Sequence, residues 1–486
     1  MAHASFHTAP GPPAEQPCRH GAVLVTWDGR LDNRADLAAS LGAERANDVE
    51  LLALAYERWG PTFPSRIVGD FALALWDGRA RLLLLARDPV GTRPLFYAVR
   101  PDGGLLWAST LAALRAGGAD LGEVDEEWIA GYFSWSIDPA TTPWRGVRAV
   151  PPGHVLAVGG GPPRLQCFWK AEEVPAVRLG GDAEYEERYR ELFLASVQNR
   201  LRAAGPVAAE LSGGVDSSSI VCAAAHLLRA GSAETPGLLT ASHLYERSRT
   251  ADETPFIEEV EAFIGRTGRH ILESEAPILT GLVTDIPEIP TSNHCFRRRY
   301  QAIYDFMAEN GSRVLLSGLG GDHLLTSQVA TPYVLADLLR GGRLGALRTG
   351  LAAWRRELGK PYLQLLWEGA VCPLLPRPAR MRLARPPIPF PSWLDRGFVR
   401  RRDLAARFVA LTDAEGYPGP PGKREQAGAV RGALRAAAWL YDWWGRPVEV
   451  TFPFLDRPLM EFCLGAPAGQ FVRPGETRSL HRRALA

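Results

Sequence analysis

The sequence predicts a chain in two parts. A mostly antiparallel α+β domain spans residues 1–172, and an α/β domain with a doubly wound parallel sheet and added helices spans residues 183–486. Three observations predict it. Before residue 170, short apolar runs alternate with turns at hairpin spacing. After residue 183, strand-like runs alternate with helix-like ones. Two glycine-rich turns, Ser212-Gly213-Gly214 and Ser317-Gly318-Leu319-Gly320-Gly321, each follow a strand-like run, which is where such sheets bind ligands.

In the first part, a Pro-rich leader ends near His20, and Ala22–Trp27 reads as a strand. Helix-like runs follow at Ala35–Leu41 and Asp48–Trp59. Phe71–Trp76, the Asp77-Gly78 turn and Leu82–Ala86 form a hairpin signal. In the second part, Ala183–Ala203 reads as a long helix and the apolar run ending at Leu211 as a buried parallel strand. Ser217–Ala230 is an Ala/Leu-rich helix closed by Gly231. Strands follow at Pro236–Ser242, which runs into His243–Ser248, then at Arg269–Glu273 and Ser312–Ser317, with a helix opening after Thr254-Pro255. Residues 331–430 are helical in flavour around a Pro-rich stretch, Pro373–Pro391.

Composition excludes several classes. Apolar residues at 46% and charged residues at 22% are ordinary for a globular enzyme, and 486 residues supply a large core. With 55 basic against 54 acidic residues, the net charge of +1 gives no electrostatic case for nucleic acid or a membrane surface. Residues 331–410 hold 15 Arg/Lys against 5 Asp/Glu, leaving 40 against 49 elsewhere, so this segment is either a solvated arginine-rich face or a docking surface for an acidic partner. Cys18, Cys167, Cys222, Cys295, Cys372 and Cys463 show no C-x-x-C spacing, which argues against a disulfide framework or a zinc site. No apolar run approaches the roughly 18 residues that span a bilayer, and no signal pattern opens the chain, so the expected location is the cytoplasm.

The first glycine turn carries the chemistry. Two glycines let consecutive N–H groups point inward, and the following helix adds its positive end, so the loop suits an anion. No Gly-Lys-Ser/Thr follows, so a loop that hands on a terminal phosphate is excluded and pyrophosphate is the expected guest.

Val207–Cys222, with Ser212-Gly213-Gly214-Val215-Asp216-Ser217-Ser218 at its centre, resembles the pyrophosphate loop of enzymes that split ATP between its α and β phosphates, asparagine synthetases among them. Trp27–Asn33, Val68–Asp77 and Ala86–Tyr97 resemble the Ntn-type amidotransferase domain of that family, closed by Thr142–Val147 and Pro151–His154. Relatives hydrolyse glutamine with an N-terminal cysteine; Ala2 stands there and supplies no thiol. Cys18 would need cleavage after Pro17, and Arg19-His20 does not continue the family's pattern, so a working glutaminase is not expected and the domain reads as a retained shell. The resemblance implies ATP and Mg²⁺, with Asp216 and Asp322 as the metal's carboxylates. It also implies that Ser212, Gly213, Gly214, Ser217 and Ser218 hold pyrophosphate, that Leu211 and the Leu239–Ser242 strand end border adenosine, and that Ser317, Gly318, Gly320 and Gly321 complete the nucleotide site. Asp252 and Glu253 face the nucleotide or metal, or else cap the helix at Thr254.

Two departures sharpen the resemblance. His323 follows Asp322 where asparagine synthetases carry Glu, and Leu319 occupies a position that is polar in small-molecule synthetases. The Pro391-Ser392-Trp393-Leu394 segment with Phe398 and Arg400-Arg401-Arg402, together with the missing cysteine and the Gly-Gly-Asp-His variant, looks like lasso peptide cyclases. That family implies an ATP-dependent ligase that adenylates an Asp or Glu side chain of a precursor core peptide and closes it onto the peptide's N-terminal amine. It also implies a leader-binding protein and a leader peptidase as partners. Ammonia-dependent small-molecule amide synthesis and a silent nucleotide- or peptide-binding scaffold remain as alternatives. His323 is either a base for the amine or a satisfied structural histidine, and Glu449, in Glu449–Asp456, either orients the amine or forms a surface ion pair. Arg478, in Gly475–Leu485, stands where relatives hold a catalytic lysine and would stabilise developing charge. The chain ends inside a helix-like run where relatives continue, which implies a further C-terminal piece.

Overall fold

Alternating apolar strands with Asp-Gly and Gly turns build the first sheet. The structure is a computed structural model that describes residues 1–3, 6–245, 252–277, 289–291, 295–325, 333–376, 379–380, 390–412, 419–440 and 447–486. Glu246–Ser248 and much of the Pro373–Pro391 stretch lie outside these residues. The strands of the first part are β1 (Cys18–His20), β2 (Val23–Gly29), β3 (Phe71–Asp77), β4 (Leu82–Arg87), β5 (Phe96–Val99), β6 (Leu105–Ala108), β7 (Arg148–Ala149), β8 (His154–Val158) and β9 (Arg164–Cys167). They form an antiparallel sheet in the order β1-β2-β3-β4-β8-β9 and a smaller one, β6-β5-β7. The expected hairpin pairs Asp77 with Leu82, and the Asp77 carboxylate accepts from the N–H groups of Arg79 and Ala80 to hold the turn. The Asp48–Trp59 helix forms over the expected residues because Asn47 and Glu50 cap it reciprocally. Sequence reading assigned β1 to the Pro-rich leader; cross-strand pairing with β2 overrides that composition.

The second part is an α/β layer. Its strands are β10 (Val207–Glu210), β11 (Leu238–Leu244), β12 (Arg269–Leu272), β13 (Val314–Leu316) and β14 (Glu449–Thr451), all parallel, in the order β12-β11-β10-β13-β14. The chain winds outward from β10 through β11 to β12, then restarts on β10's other side with β13. The strand order therefore reverses between β10 and β13, and that crevice is where an open parallel sheet takes its ligand. Each glycine turn leaves one of these two strands. The doubly wound arrangement expected from the alternating runs is present.

The Asp182–Arg200 helix buries Tyr189, Phe193 and Val197 against Phe454 and the helix Ser479–Leu485. His481 lies at the centre of that contact, 1% exposed. Its Nδ1 accepts from Tyr189 Oη at 2.7 Å, and its Nε2 donates at 2.7 Å to Ser219 Oγ, which in turn donates to the Val215 carbonyl. Burial, reinforced by Arg478 and Arg482, pushes the imidazole down to about 3, so it is neutral. An unfolded histidine titrates near 6.5, so the unfolded chain binds this proton first. The pin's stability is complete above that pH and is lost as pH falls towards 3. Between pH 6.5 and 4.5 the wild type is expected to lose about 2 kcal/mol more stability than His481→Gln. Urea unfolding at the two pH values measures it, and equal losses would contradict the buried neutral assignment.

The two parts meet through buried charges. The Arg200 guanidinium is 1% exposed; Nε donates to Thr451 Oγ1 at 2.9 Å and Nη1 to Asp456 Oδ1 at 3.1 Å, with Asp32 and Asp70 each at 3.8 Å. Arg30 pairs with Asp32 at 2.9 Å and donates to the Asn199 carbonyl, so the first sheet's edge is bonded directly to the long helix.

Candidate active site

β10 delivers the first glycine turn into the crevice. Leu211, 1% exposed, continues the ladder by donating to the Ala241 carbonyl, after which the chain leaves the sheet. Gly213 adopts φ +80°, a left-handed conformation that only glycine enters at no steric cost, and a Cβ there would lie 3.0 Å from the Glu253 carbonyl. Gly214 then caps the helix Val215–Arg229. The turn is set in advance by its own hydroxyls: Ser217 Oγ accepts from Ser212 N at 3.1 Å and donates to the Gly214 carbonyl at 3.2 Å. Ser218 Oγ and Ser242 Oγ are buried without a hydrogen-bond partner, which leaves two hydroxyls on the expected nucleotide residues available to a guest. Leu239 is half-buried on β11, beside the strand end that carries Ser242.

The second turn leaves β13. Ser317, 3% exposed, donates its N–H to the Thr451 carbonyl, Gly318 faces Ser217, and Gly320 (φ +96°) opens the one-turn helix Gly321–Leu324. At Gly321 a Cβ would come within 2.5 Å of the Asp216 carboxylate, so any larger residue would force that acid to shift. The two turns therefore touch, and their acids converge.

Asp216 and Asp322 share one cation. Arg478 Nε lies 2.6 Å from Asp216 Oδ1, too bent for a hydrogen bond, while Nη2 donates to Asp216 Oδ2 at 3.0 Å and to Asp322 Oδ1. Arg478 holds φ +55° at the head of the Ser479–Leu485 helix, three residues before the buried His481 pin, so a sparsely populated backbone conformation is held by packing. Burial pushes the Asp216 carboxyl up, and Arg478 partly offsets this. Asp322 is half-exposed. A buried carboxylate oxygen without a hydrogen bond beside a second, wetter carboxylate fits Mg²⁺, which takes one or two protein carboxylates and fills its shell with water and phosphate oxygens. Among the described residues, no cluster of three or more His, Cys, Asp and Glu is assembled for a metal.

His323 stands next to Asp322 with Nδ1 buried and unpartnered. Burial lowers its pKa, with Asp322 opposing, which favours the neutral ring. Both readings of Glu449 are corrected. It is 3% exposed, so it forms no surface ion pair, and it lies level with Val207, at the amino end of the sheet, four residues back from Leu211. At about 3.3 Å per residue that is roughly 13 Å from the glycine turn. There it pairs with Arg93 at 2.9 Å and Arg30 at 3.6 Å and accepts from Thr8 Oγ1, on the wall of a cavity of about 1580 Å³ that also includes Trp27, Asp28 and Trp107. Of the two readings of Asp252 and Glu253, the capping one holds for Asp252, whose Oδ1 accepts from Thr254 N at 3.1 Å.

Sequence reading missed Glu210. This acid ends an apolar strand immediately before the glycine turn and takes a hydrogen bond from Ser317, and burial pushes its carboxyl up. A lone carboxylate closing a Val-Ala-Ala strand was the available signal.

Comparisons with known proteins agree with this layout. The asparagine synthase family model matches residues 188–401 and 445–486, and the glutamine amidotransferase domain model matches residues 9–169. Amidase chry2 of Gibberella zeae is 30% identical, covering 62% of this chain and 47% of its own. Asparagine synthetase [glutamine-hydrolyzing] 3 of Bacillus subtilis is 29% identical, covering 54% and 45%. The chain spans about half the length of the curated relatives it matches. A solved glutamine phosphoribosylpyrophosphate amidotransferase from B. subtilis is 15% identical over 62% of this chain and 72% of its own at a TM-score of 0.25, a likeness too slight to build on. Among the described residues, no helix is long and apolar enough to cross a membrane.

Proposed function

Because the chain belongs to the asparagine synthase family, we propose that it is an ATP-dependent amide-forming ligase that releases AMP and pyrophosphate. The observation that carries this reading is the convergence of Asp216, Asp322 and Arg478 where the strand order reverses, against a glycine turn at a helix N-terminus. The N–H groups of residues 213–218 receive the pyrophosphate, and Arg478 supplies a cation that cannot be deprotonated to offset charge developing at the α-phosphorus. Mg²⁺ on Asp216 and Asp322 would neutralise phosphate charge. A substrate carboxylate oxygen attacks the α-phosphorus and the α–β bridge breaks. An amine then attacks the acyl carbon, AMP leaves, and the free Nδ1 of His323 accepts the amine's proton.

The finer reading is macrolactam formation of the lasso peptide cyclase kind. The acyl group is an Asp or Glu side chain of a precursor core peptide, and the amine is the same peptide's N-terminus. With a pKa of about 8, that amine is already partly neutral at pH 7, so holding the two ends together does much of the catalysis. His323 and Leu319 in the second turn support this reading over a small-molecule site. The arginine-rich face of residues 331–410 suits docking of a leader-binding protein and a leader peptidase. Exchange of labelled pyrophosphate into ATP tests it. Stimulation by a precursor peptide and not by aspartate is the expected result. Stimulation by aspartate returns the site to small-molecule amide synthesis, the reading that the relatives named asparagine synthetase support, and exchange with neither leaves a binding scaffold.

A further inference from the structure

We propose that Arg299 is the core of an oxyanion-binding pocket beside the carboxyl end of β11, built to take a carboxylate or a phosphate group of a bound molecule. Arg299 is 6% exposed, and among the described residues its guanidinium makes one hydrogen bond, from Nη1 to Tyr245 Oη at 2.7 Å. Nε and Nη2 are buried with no hydrogen-bond partner. Those two atoms form the edge of a guanidinium that meets a carboxylate or phosphate with two parallel hydrogen bonds. Among the described residues, no carboxylate pairs with this cation. The side chain is nevertheless held: its guanidinium lies 4.8 Å from the Tyr245 ring centroid and 5.7 Å from that of Phe296. Burying a guanidinium with its bidentate edge unsatisfied is destabilising, and an arriving anion offsets that.

The helix beneath it gives an independent indication. The Arg297–Glu309 helix opens with Arg297, Arg298 and Arg299, has no acid in its first turn, and begins at Phe296 without a side-chain cap. Helix N-termini favour negative charge, and an anion arriving at Arg299 would meet both the helix dipole and its guanidinium. The facing residue on β11 agrees. Burial, and then Arg299's charge, push His243 down to about 4, so a neutral imidazole lies beside the cation.

Position suggests what arrives. Ala241 pairs with Glu210, which places His243 and Tyr245 level with Ser212 and Gly214, one strand over from the glycine turn. Arg478 and the two aspartates approach that turn from the β13 side, and Arg299 approaches from the β11 side. An anion at Arg299 is therefore either a phosphate of the nucleotide or a carboxylate of a second guest. The inference rests on Arg299's surroundings and stands without the ligase reading.

The test compares the thermal midpoint of the full chain in sodium glutarate, sodium pyrophosphate and, at matched ionic strength, sodium chloride, for wild type, Arg299→Met and Tyr245→Phe. Without added oxyanion, Arg299→Met is expected to melt at or above the wild-type midpoint, because an uncompensated buried cation is gone. A wild-type rise in glutarate that is lost in Arg299→Met and weakened in Tyr245→Phe identifies a carboxylate site; the same pattern in pyrophosphate identifies a phosphate site. A second readout needs no variant: an oxyanion on Arg299 relieves the repulsion on His243 and raises its proton affinity tenfold or more, read from its ring resonances. If neither anion's effect depends on Arg299 and His243 does not move with either, the proposal is overturned.

Discussion

Asp216→Ala is expected to lower ATP-dependent pyrophosphate release by about three orders of magnitude, equivalent to ~4 kcal/mol of barrier, while the chain stays folded. The two halves of this expectation have separate causes. The carboxylate lies between Gly321 and Arg478, where replacing it with a methyl removes one of the two acids that meet at the reversal of strand order. Asp322 alone would leave a half-exposed, singly liganded position. The same carboxylate is a liability for stability, since burial already drives it towards the protonated form. Its removal frees Arg478 to pair with Asp322 alone, so the thermal midpoint should hold or rise slightly. Pyrophosphate release and calorimetry on one preparation decide both points; undiminished release would refute the metal assignment, and a collapsed midpoint would make Asp216 structural. Arg478→Met should cost about 10² to 10³ in the same assay, as loss of one charge-stabilising donor does elsewhere.

Arg200→Met carries the largest expected effect on stability, a loss of about 3–5 kcal/mol. Methionine fills much of the volume, but Asp32, Asp70 and Asp456 then share a dry interface without the cation that bridges them. Burial raises Asp456 to about 6 even with Arg200 present. In the variant this acid rises further, so the folded state binds protons that the unfolded state releases, and stability recovers as the pH falls. Urea midpoints at pH 8 and pH 5.5 should therefore diverge from wild type most at pH 8. A uniform loss at both would mean that packing, not charge, explains the defect.

How much of this was legible in the sequence depends on the range of the interaction. Local signals read well. The Asn47-to-Glu50 capping box, the Asp77-Gly78 hairpin and the Ser212–Ser218 turn are decided by neighbours within a few positions, and the residues there predicted what formed. The strand pattern also sufficed to place both glycine turns at the same end of one sheet. Register did not read. Nothing local tells that Glu449 aligns with Val207 and so lies at the far end of its strand from the chemistry. Partners distant in sequence did not read either. His481 looks like one more polar residue in an arginine-rich tail until Tyr189 and Ser219 close on it from two other helices. The buried interface acids were visible as members of a recognised motif, but their sharing of Arg200 follows from the docking of two sheets.

The share of the site contributed by the tail sets when the protein becomes competent during its synthesis. Arg478 lies 262 positions beyond Asp216 and is held in place by a helix that packs onto the Asp182–Arg200 segment. A nascent chain paused after the second glycine turn owns both loops and both acids but lacks β14 and the cation. Domains emerge and fold from the N-terminus first, so the antiparallel part can consolidate while the ribosome still holds the remainder. Stalled or prematurely terminated translation products should thus be inert towards ATP.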